Sequence, residues 1–206
     1  MKKIGITGQI GAGKSYVGSL LRSRGFSVLD ADLACHELYR NSKELRAEIT
    51  HEFGSDALTP EGINRQFFAD LIFKDAGARL RLENLVYPRL VRYTLDFFRD
   101  CESNCPAACN DGKAFVEAAL FESVPDLVKH LDEIWVVTAS AEVRLKRLVE
   151  NRGLSPEDAS RRMELQKTKD NTDCWLKLFP GKKIHFIDNA GEQGLPLLPF
   201  SQFLSL

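Results

Sequence analysis

The sequence predicts an α/β protein with a parallel five-stranded sheet and helices on both faces, and three observations carry that expectation. Short runs rich in β-branched and aromatic residues alternate with segments of helical periodicity. A glycine-rich turn joins the first such run to the first helical segment. One gap between strand-like runs is too long for a single crossover and reads as a helical insert. At 206 residues the chain can bury one substantial core, so a single domain with helical appendages is expected.

The first strand is "KKIGITG" (2–8), a continuous apolar run of the kind buried on both faces of a sheet. Val17, Leu20 and Leu21 then recur at helical spacing until Gly25, a stop signal. "FSVLDAD" (26–32) reads as the second strand. Residues 33–100 look almost wholly helical and read as an insert in the α/β core, with its main helical part over about 60–100. Pro88 should kink or divide its last helix, because proline has no amide proton and crowds the preceding turn. "AFVEAAL" (114–120), "EIWVVTA" (133–139) and "KIHFID" (183–188) complete the strands. Between the last two, residues 140–170 form a basic helical stretch. Within it "NRGLSPED" reads as a helix stop and restart, with Ser155 as cap and Pro156 at the first helical position. The tail "GEQGLPLLPFSQFLSL" is apolar but broken by Pro196 and Pro199, consistent with a short closing helix.

A formal net charge of −1 gives no general attraction for nucleic acid or anionic membranes. No apolar run approaches the ~20 residues of a membrane helix. The two N-terminal lysines are followed by glycines too soon for a signal-peptide core. Five cysteines without an export signal imply reduced thiols. The expectation is a cytoplasmic protein, monomeric or weakly homo-oligomeric, acting on small molecules.

The glycine-rich turn is specific. Gly8, Gly11, Gly13, Lys14 and Ser15 form G-x-x-x-x-G-K-S, which arises by chance in about one chain per hundred of this length. Its backbone N–H groups can turn inward around an anion, and the following helix adds the positive end of its dipole. Lys14 can reach β- and γ-phosphates, and the Ser15 hydroxyl can ligate Mg²⁺. The nucleotide-binding positions expected are Gly8, Gly11, Ala12, Gly13, Lys14, Ser15 and Tyr16.

Where the terminal phosphoryl group goes depends on the rest of the chain. The guanine-reading N-K-x-D of switch GTPases is absent, and "DNAG" (188–191) follows the last strand and reads as a turn. A small-molecule kinase needs a carboxylate facing its acceptor. Asp30 and Asp32 are expected at the C-terminal end of strand two, the edge where parallel sheets bind ligands. Asp32 can take the proton of an attacking hydroxyl, and one of the pair should cap the next helix. In the lid segment, Leu145, Leu148 and Val149 form an apolar stripe beside Arg144 and Arg147, and Arg152 lies at the joint. Such arginines could neutralise charge developing during transfer.

On these residues the chain resembles the dephospho-CoA kinase family over nearly its whole length. "GFSVLDADLACHEL", "GINRQFFADLIF" with Arg65, "LFE" (120–122) and "RLVENRGLSPEDASRRMELQ" with Arg147, Arg152, Arg162 and Gln166 resemble family landmarks. The resemblance implies ATP-dependent phosphorylation of the ribose 3′-hydroxyl of dephospho-CoA, with Mg²⁺. It implies Asp32, Lys14 and Arg147 in catalysis, Arg147 and Arg152 at ATP, and Asp32, Arg65, Tyr87 and Arg162 at the acceptor, where His36, on the helix just past Asp32, is also expected. Three departures stand out: Tyr16 where threonine is usual, Tyr87 where histidine precedes the proline, and "EAALFE", which lacks a proline and brings Glu117 into a strand.

Other signals point to packing. Cys101, Cys105 and Cys109 recur every four residues, but Pro106 interrupts any helix that would align them. Cys35 and Cys174 read as packed thiols, and Trp135 as core. Trp175, near Phe179, could cover a nucleotide, with packing the simpler role. The competing functions are a kinase for another small acceptor and a nucleotide-dependent regulatory module.

Overall fold

The computed structural model describes residues 1–75, 77–104, 112–119 and 121–189. Cys105, Cys109, Leu120 and the tail from residue 190 lie outside the described residues. The chain divides into two compact units, Leu29–Arg99 and the remainder on either side of it.

A five-stranded sheet ordered β2-β5-β1-β6-β7 is drawn from the flanking unit, apart from the last two residues of β2, Leu29 and Asp30, which the division assigns to the contiguous unit. Its strands are β1 (Lys2–Gly8), β2 (Ser27–Asp30), β5 (Lys113–Glu117), β6 (Glu133–Thr138) and β7 (Lys183–Asp188). β1 pairs in parallel with β5 and β6, and β6 in parallel with β7. Consecutive residues Ile4–Gly8 and Glu133–Val137 are all buried. Since successive side chains point to opposite faces, both faces of these strands are covered, as their unbroken apolar runs predict. The core joins Ile4, Ile6, Phe115, Trp135 and Ile187 to Val17 and Leu21 of α1 (Lys14–Ser23). Phe115 packs edge-on against Phe26 and Trp135.

After the sheet's middle strands come α6 (Pro125–Lys129), α7 (Ala141–Arg152), α8 (Pro156–Glu164) and α9 (Thr172–Leu178). Ser155 caps α8 by accepting from the Asp158 amide, Pro156 opens it, and Gly153 ends α7 with φ 65°, as the sequence implied. The expected strand 114–120 is shorter and shifted to Lys113–Glu117.

The contiguous unit holds α2 (Ala31–Asn41), α3 (Lys43–Phe53), α4 (Arg65–Lys74) and most of α5 (Ala78–Asn104). It is not wholly helical: β3 (Leu58–Thr59) and β4 (Gly62–Ile63) form an antiparallel hairpin. Its core is Leu45, Ile49, Ala57, Phe68, Leu82 and Val86. Pro88 does not divide the last helix, which runs unbroken for 27 residues. Residues Leu82, Val86, Leu90, Thr94 and Phe98 bury one face at helical spacing. Pro88 and Asn84 are exposed, so water can reach the carbonyl that the missing amide leaves, and packing outweighs the proline's ~3 kcal/mol.

Candidate active site

The turn between β1 and α1 is pressed tightly against its neighbours. Gly13 stands before α1 in a left-handed conformation, φ 95°, and a Cβ there would come within 2.2 Å of Asn189 Nδ2. At Gly11, φ 77°, a Cβ would meet the Arg144 carbonyl oxygen at 2.8 Å. Only glycine takes this path without strain. No side chain caps α1, so its first amides are presented to an anion. Lys14 Nζ folds back across the loop, donating to the carbonyl oxygens of Gly8 (3.0 Å) and Gln9 (3.5 Å). Ser15 Oγ donates to Glu117 Oε1 at 2.7 Å. Ala12 is buried, whereas Tyr16 is 48% exposed.

The basic helix α7 closes over this loop. Arg147 donates through Nη1 to the Ala12 carbonyl (3.3 Å) and through Nη2 to the Asn189 carbonyl (2.8 Å). Asn189 Nδ2 donates to the same Ala12 oxygen at 2.8 Å. Gln166, after α8, accepts from the Ile10 amide at 2.8 Å. Arg144 differs from its expected place beside the apolar stripe: it is 2% exposed, and its Nη2 donates to Asp170 Oδ1 at 2.6 Å. Gln9 Nε2 reaches the same carboxylate oxygen at 2.5 Å. Leu148 is fully buried as expected, with Leu145 and Val149 half-buried. Arg152 and Arg162 are exposed on the 140–170 segment. Trp175 is buried and stacked on Phe179 with 19° between ring planes, which is packing.

In the contiguous unit the expected carboxylate sits one element later than predicted. Strand β2 ends at Asp30, and Asp32 belongs to the first turn of α2. The reason is local: Asp30 caps the helix, accepting from the amides of Asp32 and Leu33, each at 3.0 Å. Asp32 and His36 are four residues apart on one face of α2, where Asp32 is exposed. His36 Nε2 lies 3.0 Å from Arg65 Nη2, which joins two expected acceptor-binding residues from separate elements. Tyr87 is half-buried against the unit's core. The Cys35 thiol is pushed up to about 12 by burial, with the Asp32 and Asp30 carboxylates adding to it. It is therefore an unreactive packed thiol at neutral pH.

Sequence reasoning misses Gln9, Asp170 and Asn189, which tie the loop to the 140–170 segment and to the end of β7. Gln9 is an unconstrained position of the motif, and Asp170 lies 26 residues from Arg144. Asn189 carries one signal: it directly follows the last strand, at the edge where the loop also lies. Among the described residues, no group of three or more His, Cys, Asp or Glu side chains could hold a metal by themselves. The arrangement is thus an amide-lined cradle with a lysine, a serine hydroxyl and an arginine converging on it.

A family model described as dephospho-CoA kinase matches residues 2–177. Similar proteins named dephospho-CoA kinase include one from Symbiobacterium thermophilum, 35% identical over 82% of this chain and 69% of its own length. Another, from Corynebacterium glutamicum, is 35% identical over 81% of this chain and 83% of its own. A crystal structure from Thermus thermophilus superposes with TM-score 0.73 at 27% identity, covering 99% of this chain and 96% of that one. A dephospho-CoA kinase from Campylobacter jejuni shares the fold, with TM-score 0.63 at 24% identity and coverage of 100% and 94%.

Proposed function

The chain belongs to the dephospho-CoA kinase family, and from that premise we propose residue roles for the transfer of a phosphoryl group from ATP to the ribose 3′-hydroxyl of dephospho-CoA. The reaction is the final step of coenzyme A synthesis. The observation that carries the assignment of the ATP site is the Gly8–Ser15 cradle with Arg147 on its Ala12 carbonyl.

The backbone of Gly8, Gly11, Ala12, Gly13, Lys14, Ser15 and Tyr16 binds the phosphates through its amides. Lys14, now resting on the Gly8 carbonyl, moves to the β- and γ-phosphates. Arg147 and Arg152 face the transferring group from the lid and stabilise its charge. The acceptor oxygen attacks the γ-phosphorus, the bond to the ADP oxygen breaks, and the hydroxyl proton passes to the Asp32 carboxylate. Asp32 also orients that hydroxyl. His36 and Arg65, already joined, hold the acceptor together with Tyr87 and Arg162. The Ser15 hydroxyl, an oxygen donor in oxygen-rich surroundings, suits Mg²⁺ and would hold it. When bound, Mg²⁺ neutralises charge on the β- and γ-phosphates. Among the described residues no helix is long and apolar enough to cross a membrane.

The test is Asp32→Asn in a coupled ADP-release assay. The expected result is a kcat lower by ~10²–10⁴ with ATP affinity nearly unchanged. Wild-type kcat in this variant removes Asp32 from the mechanism. Turnover with nucleoside monophosphates but none with dephospho-CoA would reassign the acceptor.

A further inference from the structure

The leading corner of the phosphate loop is held from outside the loop. The peptide between Gln9 and Ile10 is trans and planar, so its N–H and C=O point in opposite directions, and fixing one fixes the other. The Ile10 N–H donates to Gln166 Oε1 at 2.8 Å, a side chain 156 residues further along the chain. The Gln9 carbonyl is thereby turned the other way, where it accepts from the Ala12 amide at 3.1 Å and meets Lys14 Nζ at 3.5 Å. The same ammonium rests on the Gly8 carbonyl at 3.0 Å.

A second tie runs beside the first. Gln9 is 4% exposed, and its Nε2 reaches the Gln166 carbonyl at 3.5 Å and Asp170 Oδ1 at 2.5 Å. Residues Gln166–Asp170 make one short strap, in which the Lys169 amide donates back to the Gln166 carbonyl at 2.9 Å. Its far end is anchored three times. Arg144 holds Asp170 at 2.6 Å, Lys169 pairs with Glu122, and the buried Trp175 donates through Nε1 to the Lys169 carbonyl at 3.0 Å.

A lysine ammonium is a point charge on a flexible four-carbon stem, so its own side chain does not fix where the charge sits. Carbonyl oxygens on one side of it do, but only while they keep their own places. The Gln9 carbonyl keeps its place through the strap. We propose that Gln166 and Asp170 are positioning residues for Lys14: through the Gln9–Ile10 peptide they aim the carbonyl that sets the ammonium at the phosphates. This rests on the reading of the Gly8–Ser15 loop as the nucleotide cradle.

The test is a double-mutant cycle in the full-length protein: wild type, Gln166→Met, Lys14→Met and the two combined. Methionine keeps the length of Gln166 and removes the acceptor for the Ile10 amide. Affinity for a non-hydrolysable ATP analogue with Mg²⁺ is measured by isothermal titration calorimetry, and kcat by ADP release. Lys14→Met should weaken analogue binding about 10- to 100-fold, the worth of a charge-assisted contact. Gln166→Met should weaken it about 3- to 10-fold and lower kcat about 10- to 100-fold, as expected when a reacting group is misplaced by a fraction of an ångström to one ångström. In the Lys14→Met background the same change should alter analogue affinity by less than about 2-fold, because the group it acts through is gone. Equal losses in the two backgrounds would overturn the proposal, since they report a general slackening of the loop. So would wild-type affinity and kcat in Gln166→Met. A wild-type protein that fails to bind the analogue, or Lys14→Met protein that binds it as wild type does, would overturn the cradle reading and the proposal with it. If Gln166→Met does not fold, Gln9→Met, which cuts the tie to Asp170 at the loop's own end, takes its place in the cycle with the same expectations.

Discussion

Replacing Asp170 with alanine should destabilise the protein by about 3 kcal/mol. Two donors converge on one oxygen of this side chain: Arg144 Nη2 at 2.6 Å and Gln9 Nε2 at 2.5 Å. The Arg144 side chain is 2% exposed and that of Asp170 48%, so the pair lies between a surface bridge, worth ~0–1 kcal/mol, and a buried one, whose breakage costs ~3–5. Half-exposure of the carboxylate places it near ~2 kcal/mol, and the lost Gln9 bond adds ~1. Arg144 Nε and Nη1 already have no hydrogen-bond partner among the described residues, and Arg144 borders a cavity of about 250 Å³ whose side could hydrate the guanidinium once the carboxylate is gone. That argues against the top of the range. For a chain of this length ~3 kcal/mol lowers Tm by about 6–12 °C, measurable by calorimetry or circular dichroism. The double variant Arg144→Met/Asp170→Ala should recover part of the loss, because it removes the stranded charge and fills its volume with apolar atoms. An Asp170→Ala protein melting within about 1 °C of wild type would refute the reasoning, as would a double variant no more stable than the single one.

Two further outcomes follow from the geometry. Gly13→Ala, forced to keep φ 95° with its Cβ 2.2 Å from Asn189 Nδ2, should cost ~2 kcal/mol or more and abolish binding of an ATP analogue; unchanged titration would show the loop to be pliable. Acid should destabilise the protein in two stages around Glu133, which meets Lys2 at 3.1 Å, Lys183 at 3.3 Å and His185 at 3.4 Å. Burial pushes the Glu133 carboxyl up, but the Lys2 and Lys183 ammonium groups outweigh it and leave it below its ordinary value of 4.5. Burial holds the His185 imidazole below 6.5 against the opposing pull of Glu133. Both groups are depressed in the folded state, so their contributions are complete above the unfolded values and lost as pH falls. His185 acts first, below about 6.5, and Glu133 below about 4.5. Thermal melts across pH should show the first stage flattened in His185→Gln; an identical profile would remove His185 from the account.

The sheet is readable from sequence because its strands are continuous apolar runs bounded by glycine and charge, and "KIHFID" coincides with β7. The Ser155–Pro156 start of α8 is readable for a local reason, since capping depends on neighbours in sequence. The same local chemistry misleads at Asp30, whose cap converts the expected end of a strand into a helix start. The hairpin of β3 and β4 has two residues per strand, too few to show any periodicity. Helix α9 follows so closely on the 140–170 segment that its seven residues do not stand out from the connection. At the site, the loop residues are legible because phosphate chemistry dictates both type and spacing. Arg144 is not: an arginine on a basic helix reads as solvated, and only an aspartate distant in sequence makes its burial tolerable.

The strand order sets a timetable for synthesis. β1, made first, lies between β5 and β6, with Lys2 opposite Lys113 and Ile4 opposite Glu133. Its glycine turn therefore leaves the ribosome with neither flanking strand in existence. The contiguous unit Leu29–Arg99, which has a core of its own, can finish while the sheet still waits for partners. Because Asn189 braces the turn through the Ala12 carbonyl, the turn is fully buttressed only once the residue after the last strand has emerged.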